Sequence, residues 1–244
     1  MIPSKTSSNT KVIAHRGAWK NTGAPENSIE ALKHAITMGC AGCEFDVHLS
    51  SDDVLFVYHD EEIENLWIEK TTSAELRQIK LSNGEPLPLL EEYLREGLKQ
   101  QETRLILEIK PSNINNQRSI KAALKVLELV QTLKAEAITD YICFDYLACL
   151  EIKKNAPGAH VAYLNGDKNP LELAAAHLDG LDYEFEVLQQ NPDWIKMARA
   201  ENLSINSWTV DDEKVMDWMI AENIDFITTN EPEKLLQKLK YKDH

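Results

Sequence analysis

Apolar and polar positions along this chain alternate between two rhythms. Short runs with strand character occur at Lys11–Ala14, Leu105–Lys110, Tyr141–Phe144, His160–Leu164, Gly180–Val187, Ile205–Val210 and Asp225–Thr229. Each is followed by a stretch with apolar residues at the 3.6-residue period of a helix. Ile29, Leu32, Ala35 and Ile36 form one such stripe, and Ile120, Ala123, Leu124, Leu127, Val130 and Leu133 form a longer one. Capping residues mark the boundaries. Asn27 or Ser28 opens the first helix and Gly39 ends it. Asp145, Asn169-Pro170, Asn191-Pro192, Asp211-Asp212 and Glu231-Pro232 open later ones. Between Glu61 and Glu85 the pattern weakens to one short helix with a Thr72–Glu75 capping box. Gly84–Pro88 is then a stiff turn into a helix that runs to about Gln100.

One further strand, Cys43–Ser50, reads CEFDVHLS. Alternation puts Glu44, Asp46 and His48 on one face and Phe45, Val47 and Leu49 on the other. The turn at Ser51-Asp52-Asp53 is too short for a crossover, so Val54–Tyr58 returns antiparallel and carries His59 back towards Glu44 and Asp46. With that hairpin set aside, eight strands remain, each followed by a helix. The expected architecture is a single-domain α/β chain, a (β/α)8 TIM barrel over residues 11–242, with a β-hairpin extension after strand 2 and a poorly ordered leader over 1–10. In such a barrel His15, Glu44, Asp46, Glu108, Lys110 and Trp208 all fall at or near C-terminal strand ends, where active sites sit.

At 244 residues and 43% hydrophobic the chain suits one barrel with little left over. Its 26 basic and 40 acidic side chains give −14, which argues against nucleic acid or an anionic membrane as partner. Met1–Lys11 lacks an apolar signal core, and no run approaches a membrane span. The expectation is a cytoplasmic protein, a monomer or small homo-oligomer, without stable membrane insertion. Four cysteines do not make a disulfide framework, and Cys40-Ala-Gly-Cys43 reads as buried thiols rather than a metal or redox pair.

The acidic strand carries the chemistry. Two carboxylates aimed together need a neutralising partner, unless the strand is exposed and its acids solvated. Oxygen ligands suit a hard divalent cation, Mg or Ca, with Mn as a further option. Glu108 and Lys110, again two apart, add a third acid and a cation, or else form an internal ion pair. Three carboxylates with one divalent ion and one phosphodiester leave a net negative site, which Arg16 and Lys110 would offset. His15 and His59 flank the acids from two segments and suit paired proton transfer. His48 shares the acid face, either lining the pocket or packed behind it. His34, His160, His177 and His244 have no evident acidic neighbourhood and read as structural or solvated.

Together these residues resemble a known family. HRG (His15–Gly17), PENS (Pro25–Ser28), EFDVHLS (Glu44–Ser50), VYHD (Val57–Asp60), EPLPLLEEYL (Glu85–Leu94), LEIK (Leu107–Lys110), WTVDDE (Trp208–Glu213) and ITTNEP (Ile227–Pro232) resemble, in order and over almost the whole chain, the glycerophosphodiester phosphodiesterases. The likeness is to their short, signal-less bacterial members. The resemblance implies a TIM barrel that hydrolyses glycerophosphodiesters to glycerol 3-phosphate and an alcohol. It implies a metal held by Glu44, Asp46 and Glu108, with His15 and His59 as acid and base. Arg16 and Lys110 would grip phosphate, and Trp208 would contact the glycerol moiety.

The chain departs from that family in several places. After His59-Asp60 it reads EEIENLWIEKTT, without the family's arginine and with a shorter insert. Cys143-Phe144 stands for Ser-Phe, giving a softer lining, and Thr229-Asn230 stands for Thr-Asp, read as a cap change. Glu184 shares a face with Asp182 and Glu186 and is expected to be exposed. A lysophospholipase D would want an apolar rim, for which Leu66-Trp67-Ile68 is the one candidate in the insert. An amidohydrolase is disfavoured because no His-x-His follows the first strand. A binding protein that kept the fold but lost activity would lack a ligand or proton carrier, and none is missing.

Overall fold

The structure, a computed structural model, describes residues 9–242. The strands are β1 (Lys11–Ala14), β2 (Gly42–Leu49), β3 (Leu55–Val57), β4 (Glu62–Ile63), β5 (Leu66–Trp67), β6 (Arg104–Ile109), β7 (Thr139–Cys143), β8 (Val161–Tyr163), β9 (Gly180–Glu184), β10 (Ser204–Trp208) and β11 (Phe226–Thr229). The helices are α1 (Ile29–Met38), α2 (Ser73–Leu76), α3 (Leu90–Gly97), α4 (Asn116–Leu133), α5 (Tyr146–Asn155), α6 (Pro170–Ala175), α7 (Phe185–Gln190), α8 (Asp193–Ala200), α9 (Glu213–Ala221) and α10 (Pro232–Lys242).

Eight strands pair in parallel in the order β1-β11-β10-β9-β8-β7-β6-β2, and β1 pairs β2 to close the ring. This is the TIM barrel expected from the sequence. β2 is long enough to serve two neighbours on one edge. Gly42 and Cys43 pair with β1, whereas Val47–Leu49 pair antiparallel with β3.

Strand parity builds two cores. Phe45, Val47, Leu105, Leu107, Tyr141, Cys143, Val161, Tyr163, Leu181 and Ile205 point outward into the helix layer. Ile13, Ile106, Ile142, Ala162 and Leu164 fill the barrel's interior. A satellite core of Phe56, Ile63, Ile68, Leu76, Ile79 and Leu87 supports the segment between β3 and α3. Most capping signals match, although Asn191 ends α7 and Pro192, without a side-chain bond, is the N-cap of α8. Ser28 caps α1, Thr72 and Glu75 form the capping box of α2, and Asp145, Asn169 and Asp212 cap α5, α6 and α9.

The ends of β9 and α3 differ from the sequence reading. β9 ends at Glu184, and Phe185 opens α7, so Glu186 does not share a strand face with Asp182. Tyr183, Phe185 and Val187 alternate with Asp182, Glu184 and Glu186 as on a strand, while Phe185 and Leu188 stand three apart as on a helix, and so short a run does not separate the two. α3 ends at Gly97 rather than Gln100. Met1–Ser8 of the expected leader, and His244, lie outside the described residues, whereas Thr10 is buried and Asn9 N–H donates to Asn223 Oδ1 at 3.3 Å. Among the described residues no helix is long and apolar enough to cross a membrane.

Candidate active site

The chain leaves β1 through His15, Arg16 and Gly17, and the last two have positive φ (54° and 82°). This sharp exit packs against α1. A Cβ on Gly17 would stand 2.6 Å from Ala31 Cβ and 2.8 Å from the Ala31 carbonyl carbon. Gly17→Ala should therefore cost about 3 kcal/mol, from left-handed strain together with overpacking. Urea unfolding is the check, and a loss below about 0.5 kcal/mol would show that the corner is not tight.

The corner turns the Arg16 amide into the barrel, where it donates to Glu44 Oε2 at 2.8 Å. The Pro25–Ser28 segment braces the same corner. Glu26 accepts from Arg16 Nη1 with both oxygens at 3.1 Å. Asn27, itself at φ 60° and buried, grips Asp46 twice. Its Nδ2 donates to Asp46 Oδ2 at 2.8 Å, and its Oδ1 accepts from Asp46 N at 3.1 Å. The sequence offered Asn27 as a helix cap, and the PENS motif held both Asn27 and Glu26 without giving either a role in the site. Both act through tertiary contacts that local pattern does not carry.

Glu44 and Asp46 on β2 and Glu108 on β6 each present a carboxylate oxygen within 4.8 Å of the others, and all three are buried. Asp46 and Glu108 are paired across the strands in register. Lys110, one residue past β6, reaches Glu108 Oε1 at 2.8 Å and Asp46 Oδ1 at 3.2 Å. Arg16 Nε lies 3.6 Å from Asp46 Oδ2.

These charges strain one another. Burial, then Asp46 and Glu108, push the Glu44 carboxyl well above the usual range. Burial and Asp46 raise Glu108 to about 7. Burial also works against ionised Asp46, but Lys110, then His59, Asn27 and Arg16, hold it below the ordinary value. Lys110 is raised, since Asp46 and Glu108 outweigh its own burial. One acid is thus paired and two are pushed towards protonation, the signature of carboxylates gathered without enough positive charge. Glu44 Oε1 has no hydrogen-bond partner among the described residues. An all-oxygen donor set with an orphaned carboxylate oxygen fits a hard divalent cation, whose binding would displace the protons.

Two histidines stand beside the acids. His15 Nδ1 lies 2.8 Å from Asn230 Oδ1, and its Nε2 lies 3.9 Å from Glu44 Oε2. Burial, then the Arg16 charge, lower its pKa to about 4. His59 follows β3, where Tyr58 N donates to Asp46 O at 3.0 Å and fixes the hairpin's return. Its Nδ1 pairs with Asp60 Oδ1 at 2.7 Å. His48 does not line the pocket. It is buried, and its Nε2 contacts the His59 carbonyl at 3.1 Å, holding that loop from behind.

His15, Arg16, Glu44, His59, Glu108, Lys110 and Trp208 line one pocket of about 110 Å³ at the C-terminal end of the barrel, with Phe144 and Asp182 among the other residues of its wall. Trp208 is fixed by its indole N–H, which donates to the Asp182 carbonyl at 2.8 Å, and by edge-on contact with Phe144. A larger open groove, about 990 Å³, lies at the opposite end, beside Lys153, His160, Asp179 and Ser204. It lacks the acid cluster, and that end of a barrel serves stability.

Several expectations are corrected here. Cys143 does not soften the lining. Parity turns it outward, fully buried, and Phe144 faces the pocket. Asn230 is not a cap, since α10 begins at Pro232 and its side chain meets His15. His34 and His160 do have acidic neighbours, Glu30 and Asp140, each at 3.9 Å. In the supposed apolar rim only Leu66 and Trp67 are exposed, because Ile68 is buried in the satellite core. Glu184 is exposed, and all four cysteines are buried and free.

The model of the glycerophosphoryl diester phosphodiesterase family matches residues 15–234. The chain belongs to that family. A glycerophosphodiester phosphodiesterase of Parabacteroides distasonis of known structure is 44% identical, with a TM-score of 0.96 over 98% of this chain and all of that one. The glycerophosphodiester phosphodiesterase of Caldanaerobacter subterraneus is 28% identical, covering 95% of this chain and 98% of the relative. An Oleispira antarctica phosphodiesterase solved in complex with the product sn-glycerol-3-phosphate shares the fold, with a TM-score of 0.81 at 23% identity over 94% of this chain and 96% of that one. This chain is a phosphoric diester hydrolase of that family.

Proposed function

We propose that the enzyme hydrolyses glycerophosphodiesters to sn-glycerol 3-phosphate and an alcohol, with a divalent cation as cofactor. The observation that carries this reading is the convergence of Glu44, Asp46 and Glu108 within 4.8 Å, in the pocket that His15 and His59 also line. The product held by the Oleispira enzyme supports the choice of glycerol phosphate.

Glu44, Asp46 and Glu108 would hold the cation, Mg, Ca or Mn. When bound it supplies Lewis-acid polarisation of the phosphoryl group and charge for the developing oxyanion. Lys110 and Arg16 bring positive charge to the phosphate against a chain that is −14 overall. Arg16 is restrained by Glu26, so its guanidinium is pre-oriented rather than free to swing. Of the two histidines, one removes the proton of the attacking hydroxyl and the other protonates the departing alcohol oxygen. Trp208, fixed by Asp182 and Phe144, offers an apolar wall to the glycerol carbons.

The direct test measures sn-glycerol 3-phosphate released from glycerophosphocholine, before and after EDTA treatment and after Mg, Ca or Mn is restored. The expected result is activity that EDTA abolishes and a divalent ion restores. Undiminished turnover in EDTA would remove the cation, and release of choline phosphate in place of glycerol phosphate would overturn the bond assignment.

A further inference from the structure

The ring of His15 is held from behind by a short relay at the end of β11. His15 Nδ1 lies 2.8 Å from Asn230 Oδ1, and Asn230 Nδ2 donates to Asp211 Oδ2 at 2.8 Å. The other Asp211 oxygen accepts from Asn230 N at 2.8 Å and from Thr229 Oγ1 at 3.0 Å. The Asp211 carboxylate is therefore anchored by two donors on one oxygen, and Lys20 Nζ stands 3.9 Å from the other. The His15 backbone is tied to the same strand end, through its N–H to the Thr229 carbonyl at 3.0 Å.

An amide has one accepting end and one donating end. The Asn230 donor end is committed to a carboxylate, so its carbonyl oxygen faces the ring. That oxygen only accepts, and the hydrogen of the contact must sit on His15 Nδ1. Turning the amide over would set two acceptor oxygens 2.8 Å apart, which the anchored carboxylate disfavours. We infer that Asn230 and Asp211 are positioning residues that hold His15 as the Nδ1–H tautomer, with its bare Nε2 turned to the acid cluster. Asparagine suits this task in a way that aspartate does not, because it fixes the tautomer without adding another negative charge to an acidic site.

A consequence, which rests on the hydrolytic reading above, divides the labour between the histidines. A ring with its lone pair facing the substrate accepts a proton, so His15 is the base towards the attacking hydroxyl. His59 is then the acid towards the departing oxygen.

The test is two-bond proton–nitrogen NMR on the full-length 15N-labelled protein at a pH where the ring is neutral, with His15→Gln used to assign the signals. The expected wild-type pattern is a protonated, pyrrole-type Nδ1 and a pyridine-type Nε2. In Asn230→Leu the pattern should move towards Nε2–H. Its kcat on glycerophosphocholine should fall at least ~10-fold while KM stays within about threefold, as for lost proton-transfer alignment. Asp211→Ala frees the amide to turn and should give a mixture of tautomers with a smaller loss. An Nε2–H ring in the wild type overturns the inference, and so do unchanged ring signals in Asn230→Leu. If Asn230→Leu fails to fold, the wild type and Asp211→Ala still decide. A wild type that shows the Nδ1–H ring but no hydrolysis would sink the catalytic reading and leave the tautomer assignment standing.

Discussion

His15→Ala and His59→Ala are each expected to lower kcat for glycerophosphocholine at least ~100-fold, with folding retained. The two rings enter from different elements, the exit of β1 and the return of β3, yet face the same acids. Neither supports the core: the His15 side chain is 16% exposed and that of His59 33%. Loss of activity should thus appear without loss of structure, which circular dichroism and urea unfolding would verify. The double variant should cost much less than the product of the two single losses, since residues that act in one proton-transfer sequence fail together. Activity within about threefold of wild type in either single variant would remove that histidine from the chemistry.

The second large effect concerns stability. Asp182 is buried at the barrel's interior, its Oδ2 accepting from Asn206 Nδ2 at 2.9 Å and its Oδ1 without a hydrogen-bond partner among the described residues. Burial, only partly opposed by the Asn206 hydrogen bond, raises its pKa from 3.8 to about 7. The folded protein therefore keeps a proton there that the unfolded chain has released. Stability from this group is fully present below about pH 4 and is lost as pH rises through about 7. The gap between those pKa values corresponds to about 4 kcal/mol. Asp182→Asn keeps the shape and removes the titration. Its stability should match wild type near pH 4 and exceed it by up to about 4 kcal/mol at pH 8. Urea unfolding of both proteins from pH 4 to 8 measures the difference, in which the other titrating groups cancel. A difference that stays flat with pH would mean that Asp182 is solvated or paired.

The barrel was legible because its signals are local. Short apolar runs alternate with capped helical stripes, and right-handed parallel crossovers leave few other ways to arrange eight such units. The acid face of β2 was equally plain, since Glu44, Asp46 and His48 need only strand parity to align. Where two periods fitted one segment, as at Phe185–Leu188, the reading extended a strand that the chain ends earlier. Parity also corrected Cys143, whose outward direction depends on the exact register of β7 against β6 and β8.

What the sequence determined by itself is the repeating unit, the residue types at the strand ends and hence the family. Each depends on neighbours along the chain or on motifs in a fixed order. Only the tertiary structure decided how those residues hold one another. It joined Asn27 to Asp46, Glu26 to Arg16 and Asn230 to His15 across 19, 10 and 215 positions of chain. A hydrogen bond depends on angstroms and direction rather than on sequence spacing, so such partners emerge only in the folded chain, and His15 meets Asn230 only because the closed barrel sets its first and last strands side by side.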